Sequence, residues 1–144
     1  MSIDYSLTPL KIIDVEGGNV LHAIKKGDPG FKDFGEAYFS IVETGAIKAW
    51  KRHRRMTLNL VVPVGEVRFV MCSSIEEEAP VFQEVVLSKA NYYRLTVPPM
   101  IWLGFQGLSS EPSMLLNVSD IPHDPKESDR VNREQVQFDW RVSK

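Results

Sequence analysis

The chain has 144 residues, with 17 Lys and Arg against 19 Asp and Glu, for a net charge of −2, and is 43% hydrophobic and 25% charged. Its length suits one domain of ~150 residues, spanning 1–144, and its near-neutral charge excludes both a basic scaffold for nucleic acid and an acidic solvating tail. The composition is that of a folded chain, the lone Cys72 permits neither an intrachain disulfide nor a multi-cysteine zinc site, and neither a signal-peptide core nor an apolar run of the ~18 residues that span a bilayer is present. The expectation is therefore a cytoplasmic protein with no membrane insertion.

Short apolar runs recur along the chain, separated by turn residues. Leu10–Val15 and Val20–Ile24 flank Gly17-Gly18-Asn19, a hairpin signature because Gly and Asn tolerate positive φ. After the GDPG turn at Gly27–Gly30 come strand-like runs at Gly35–Val42, Ala46–His53, Met56–Val64 and Val67–Cys72. The acidic stretch Ile75–Ala79 reads as a loop. Val81–Leu87, Tyr92–Val97, Ile101–Phe105 and Met114–Val118 complete the series. Runs spaced ~8–12 residues apart and rich in β-branched and aromatic residues predict an all-β sandwich or barrel. The polar tail, Asp124–Gln135, has room for one short helix, with Pro125 suited to its first position. Within Thr57–Val64, alternation puts Thr57, Asn59 and Val61 on one face and Leu58, Leu60 and Val62 on the other. The polar face either lines a lumen holding a polar ligand or meets solvent.

The sharpest local feature is the run Lys48-Ala49-Trp50-Lys51-Arg52-His53-Arg54-Arg55, five cations and a histidine in a near-neutral protein. Strict alternation puts Ala49, Lys51 and His53 on one side and Lys48, Trp50, Arg52 and Arg54 on the other. Three readings stand: a solvated edge strand protected by its charges, an anion site for a phosphate or diphosphate, and a nucleic-acid contact, which the net charge disfavours. Trp50 and Trp102 either stack on a base or sugar ring or fill the barrel core. Asn59 either bonds a sugar hydroxyl or is a satisfied buried amide. His22 and His123 sit in turn regions, and Glu76–Glu78 reads as a solvated loop.

The spacing of Gly45, Lys51, His53, Leu58 and Gly65 resembles the first cupin motif, with Lys51 at the first metal histidine and Leu58 at the glutamate. The second motif is echoed by Pro98-Pro99-Met100-Ile101-Trp102-Leu103, with Leu103 in place of its histidine. One surviving nitrogen ligand, His53, does not make the three or four that a divalent metal needs. The expectation is no metal and no cofactor. Further segments are DFGEAYFS at Asp33–Ser40, Leu87-Ser88 before Asn91, VPPMIWLGFQGL at Val97–Leu108, and Asp139-Trp140. Together with Gly45–His53 these are similar to the dTDP-4-dehydrorhamnose 3,5-epimerase family and the related dTDP-sugar 3,4-ketoisomerases, over roughly residues 28–140.

The resemblance implies a single-domain cupin jelly-roll barrel, a homodimer and metal-independent isomerase chemistry on an NDP-4-keto-6-deoxysugar in deoxysugar and polysaccharide biosynthesis. It also places site residues. A phosphate-binding cation falls on Lys48. The epimerase base falls on Lys51, the ketoisomerase histidine pair on Lys51 and His53, and a ketoisomerase tyrosine near Tyr38. The epimerase acid falls near Leu116 or Asn117, where there is no tyrosine. Proton transfer beside a ketone needs a base and an acid. Lys51, His53 and Tyr38 are the candidates, with Lys48, Arg52, Arg54, Arg55, Asn59, Trp50 and Trp102 as substrate contacts. An imidazole ordinarily titrates near neutrality, whereas a lysine serves as base only where burial or nearby cations lower its pKa. The alternative is a non-catalytic sugar-nucleotide-binding cupin that has lost its acid–base pair.

Overall fold

A computed structural model describes residues 3–142. Strands β1 (Ser6–Pro9), β2 (Ile12–Ile13), β3 (Val20–Leu21), β4 (Glu36–Val42), β5 (Ile47–His53) and β6 (Leu58–Val64) are followed by β7 (Glu66–Cys72), β8 (Phe82–Ser88), β9 (Tyr93–Val97), β10 (Trp102–Gly107), β11 (Ser113–Ser119) and β12 (Ser128–Arg130). Two antiparallel five-stranded sheets, in the orders β1-β9-β6-β11-β4 and β12-β5-β10-β7-β8, face each other as a jelly-roll barrel, the cupin architecture the sequence predicts. Among the described residues there is no α-helix, and none is long and apolar enough to cross a membrane.

The core forms where the inward-facing apolar positions of both sheets meet. Leu58, Leu60 and Val62 of β6, Leu95 and Val97 of β9 and Leu115 of β11 pack against Val67, Phe69 and Met71 of β7, Leu87 of β8 and Leu103 of β10. β6 and β7 join at Gly65, whose φ of 84° makes the tight connection. The predicted hairpin is present as β2–β3, with Ile12 opposite Leu21 and Ile13 opposite Val20. Two strands carry no apolar run and escape the sequence reading: β1, paired with β9, and β12, paired with β5. The predicted tail helix is instead two 3-10 turns, Pro125–Glu127 and Arg133–Gln135, flanking β12. The first is capped by Asp124, whose carboxylate accepts from the Lys126 N–H at 3.0 Å.

The face assignment of β6 is the reverse of the lumen reading. Leu58 and Leu60 line the cavity. Asn59 turns outward beneath the N-terminal segment, where its carbonyl accepts from Arg94 Nε at 3.1 Å and Thr96 Oγ1 at 2.6 Å and its amide donates to the Gly30 carbonyl at 3.1 Å. It is a satisfied buried amide and no sugar contact, because the leucines of the same strand complete the core. Arg94 is fully buried and also donates to the carbonyls of Ala23 and Pro29, tying the chain before β4 to the sheet. Replacing Arg94 with Ala strands these acceptors and should lower the free energy of unfolding by about 2–4 kcal/mol, read as a shift in urea midpoint.

Candidate active site

A cavity of about 540 Å³ opens between the sheets. Its apolar wall includes Leu58 and Leu60 of β6, Ile101, Leu103 and Phe105 around β10, and Leu115 of β11. Its polar groups come from β4, β5, β11 and β12: Tyr38, Ser40, Lys48, Lys51, His53, Asn117 and Arg130.

The cations reach it through an irregularity. On β10, Leu103 pairs with Lys51 and Phe105 with Lys48, so two residues, Ala49 and Trp50, oppose the single Gly104. This is a β-bulge. It puts Lys48 and Lys51 on the cavity side together, where strict alternation predicts opposite faces. Ala49 and Trp50 both pack outward. A Cβ on Gly104 would lie 2.7 Å from the Ala49 Cβ and 3.0 Å from the Trp140 ring, so glycine is required opposite the bulge.

β12 builds the other half. Its register sets Ser128 against His53, Asp129 against Arg52 and Arg130 against Lys51, which turns Arg130 inward and Asp129 outward. Just before it, Glu127 is 3% exposed. One oxygen of its carboxylate pairs with His53 Nδ1. The other accepts the backbone N–H groups of Arg54, Arg55 and Met56 at 3.2, 3.1 and 3.2 Å. Burial pushes this carboxyl up, but hydrogen bonds from His53, Arg55 and Met56 outweigh it and hold the group below the usual glutamate range. With Nδ1–H donated to Glu127, the imidazole is left with Nε2 to take up a proton.

The opposite sheet supplies a hydroxyl. Tyr38 and Asn117 are cross-strand partners on β4 and β11, and the Asn117 amide donates to the Tyr38 hydroxyl oxygen at 3.2 Å. Burial, helped by Glu36, raises the Tyr38 pKa, so the phenol stays protonated at neutral pH. Lys51 moves the other way: burial, then Arg130, lower its pKa, against a partial pull from Glu127. Among the described residues no three His, Cys, Asp or Glu side chains gather as a metal site would require.

No protein-family model matches the chain. Over 107 residues it is 26% identical to a probable low-salt glycan biosynthesis epimerase of Haloferax volcanii, a match covering 72% of this chain and 66% of that protein, so the chain spans just under two thirds of this curated relative. It is 37% identical to a dTDP sugar isomerase of Desulfovibrio desulfuricans G20, whose crystal structure superposes with a TM-score of 0.88 over 95% of this chain and 90% of that one. The chain belongs to the dTDP-sugar isomerase and epimerase family. A 3,4-ketoisomerase of Thermoanaerobacterium thermosaccharolyticum, solved with TDP-4-keto-6-deoxyglucose, shares the fold at a TM-score of 0.74 and 19% identity, with 91% of this chain and 90% of that one covered.

Several of the substrate contacts expected from the sequence lie elsewhere. Trp50 borders the cavity and Trp102 does not, but both are buried in an outer cluster with Val70, Cys72, Val136 and Trp140, because the bulge and the tail behind it enclose them, so neither offers an open ring platform. The Arg52 guanidinium stacks over Trp102 at 4.7 Å and bonds Asp129 at 2.8 Å. Arg54 shares that carboxylate, and Arg55 reaches Asp124 at 3.4 Å. These three arginines face out and are paired with acids, so they are not diphosphate ligands in this arrangement. Lys48, Lys51 and Arg130 have no carboxylate partner among the described residues. Tyr38, Lys51 and His53 do converge on the cavity. Sequence reasoning missed Glu127, Arg130 and the role of Asn117. The first two lie in a tail whose polarity reads as solvated, and no local signal marks them.

Asp129 is held at about 2, down from an ordinary 3.8, by hydrogen bonds from Arg54 and Arg52. A carboxyl depressed on folding stabilises fully above its unfolded value, and that stabilisation is lost as pH falls through the folded value. Stability should therefore fall between about pH 4 and pH 2, with Glu127 acting in the same direction. In urea unfolding across that range, Asp129→Asn should give a flatter acid limb and a lower midpoint at pH 7.

Proposed function

We propose that the cavity binds an NDP-4-keto-6-deoxysugar and moves protons on the carbons flanking its ketone, in deoxysugar and polysaccharide biosynthesis. The observation that carries this reading is the His53–Glu127 pair on one wall facing Tyr38 on the other. A proton leaves a carbon beside a carbonyl only when a base receives it and the developing oxyanion is met by a donor. His53 is the base, oriented by Glu127, which also stabilises the imidazolium that forms. Tyr38 is the acid, kept protonated by its surroundings and positioned by Asn117. Lys48 and Arg130 hold the diphosphate, with Lys51 beside the sugar. The leucine-lined wall suits the apolar edge and methyl group of a 6-deoxy ring.

Family membership, the 37% identity to a dTDP sugar isomerase and the ketoisomerase solved with a TDP-keto-sugar support this substrate class. A homodimer goes with the reading: β4 is a sheet edge, and its outward Phe39 and Ile41 are 63% and 49% exposed, an apolar edge of the kind that pairing covers. A cytoplasmic location accords with the unpaired, buried Cys72.

The test is deuterium incorporation from D₂O into dTDP-4-keto-6-deoxyglucose, followed by NMR at C3 and C5. The wild type should exchange at one or both carbons. His53→Asn should lose about 10²-fold or more of the rate while still binding the ligand. Saturable binding without exchange in the wild type would instead establish the non-catalytic binding module. In the same assay, Lys48→Ala with Arg130→Ala should weaken dTDP binding about 10- to 100-fold, and Arg52→Ala should leave it within about 2-fold.

A further inference from the structure

Lys51 is placed unlike a lysine whose task is to attract phosphate. Its cross-strand neighbour on β10 is Leu103, only 9% exposed, and its neighbour on β12 is Arg130. One flank offers no hydration and the other offers like charge. The acid whose charge reaches it, Glu127, has one oxygen on His53 and the other on three backbone N–H groups. No carboxylate forms an ion pair with Lys51 among the described residues. The apolar flank, the like charge of Arg130 and the lack of an ion pair favour the free amine over the ammonium ion, against a partial pull from Glu127. A free amine in a partly dry cavity is a nucleophile toward carbonyl carbon, and the ligand class proposed above carries a ketone.

We propose that Lys51 forms a covalent iminium with the ketone of the bound sugar, so that this chain activates the flanking C–H bonds through a Schiff base. The inference rests on the proposed function for its ligand. The Nζ lone pair adds to C4 while the C=O π pair moves to oxygen, and the proton that the nitrogen then releases passes to that oxygen to give a neutral carbinolamine. The C–O bond then breaks as a second proton, from Tyr38 or the His53 imidazolium, lets the oxygen leave as water, and the nitrogen lone pair forms C=N⁺. The iminium draws electrons from the adjacent C–H bond. His53 removes that proton to give an enamine, and return of a proton to carbon regenerates the iminium. One water molecule then adds to C4, restoring ketone and amine. One water leaves and one returns, and no oxidant or reductant is needed. The positive nitrogen stabilises the carbanionic carbon without a metal.

The experiment is reductive trapping. The full-length protein is incubated with dTDP-4-keto-6-deoxyglucose and sodium cyanoborohydride, then analysed by intact mass and peptide mapping. The expected result is one adduct per chain, on Lys51, suppressed by excess dTDP and absent from Lys51→Arg, which still binds dTDP within about 3-fold. Because trapping depends on the reductant reaching the iminium, exchange of the C4 oxygen in H₂¹⁸O is followed in parallel. The wild type should exceed Lys51→Arg by about tenfold or more. Saturable binding of the keto-sugar with neither adduct nor accelerated oxygen exchange overturns the Schiff base while leaving the proposed function standing. An adduct on Lys48, or spread over surface lysines, overturns it too. Failure to bind the keto-sugar at all overturns both.

Discussion

The arrangement of this barrel depends on one buried carboxylate. Glu127 receives three consecutive backbone N–H groups from the chain leaving β5 and pairs with His53 on the strand itself. Those N–H groups lie where β5 ends and regular pairing stops; that of Arg54 also donates to the Glu127 carbonyl at 2.7 Å, whereas those of Arg55 and the buried Met56 rely on the carboxylate. Satisfying them locks the Pro125–Glu127 turn against β5 and sets the register of β12. From that register the rest follows. Asp129 is directed outward to gather Arg52 and Arg54, and Arg130 is directed inward beside Lys51. One interaction thereby sorts a mixed cluster of cations into a paired outer set and an inner set free to meet a ligand.

The bulge on β5 is the second constraint, and it is matched to the first. Two residues opposite Gly104 shift the strand's facing by one, so that Lys48 joins Lys51 on the cavity side. The two displaced side chains, Ala49 and Trp50, enter an outer aromatic cluster with Phe82, Phe138 and Trp140. This second apolar layer covers the back of the β12–β5–β10 sheet, which would otherwise present tryptophans to water. The tail thus has two tasks. Its first part completes the cavity through Glu127 and Arg130, and its last part, through Val136, Phe138 and Trp140, shields the strand that carries the cations.

The chemistry proposed for the cavity draws on the separation between the sheets. His53 and Lys51 project from one sheet and Tyr38 and Asn117 from the other, so a ring held between them meets a base on one wall and a hydroxyl on the other. The same enclosure, lined largely by leucine and other apolar side chains, strengthens every charge–dipole contact within it. It also shifts the amine and the phenol in opposite senses, each toward its neutral form. The family's fold is kept, while Lys51 and Leu103 stand where relatives of the resembled kind are expected to have histidines.

Most of the strand series was legible in the sequence, from β4 to β11, because alternation and turn residues are local properties. The shared face of Lys51 and His53 follows from alternation along β5, and the place of Tyr38 opposite them is what the family resemblance implies. What only the tertiary structure decided lies where local rules are overridden by contacts distant in sequence. β1 and β12 are strands because a neighbour offers a free edge, not because their residues alternate. Asn59 turns outward because the leucines beside it fill the core, and the partner that satisfies it there, Arg94, lies 35 residues away. Pairing of Arg52 and Arg54 with Asp129, and of His53 with Glu127, spans 74 to 77 residues, beyond the reach of any pattern in a single chain. The bulge, too, is invisible in the sequence: a glycine on β10 permits it, but only the pairing of two strands decides that Lys48 joins Lys51 in the site.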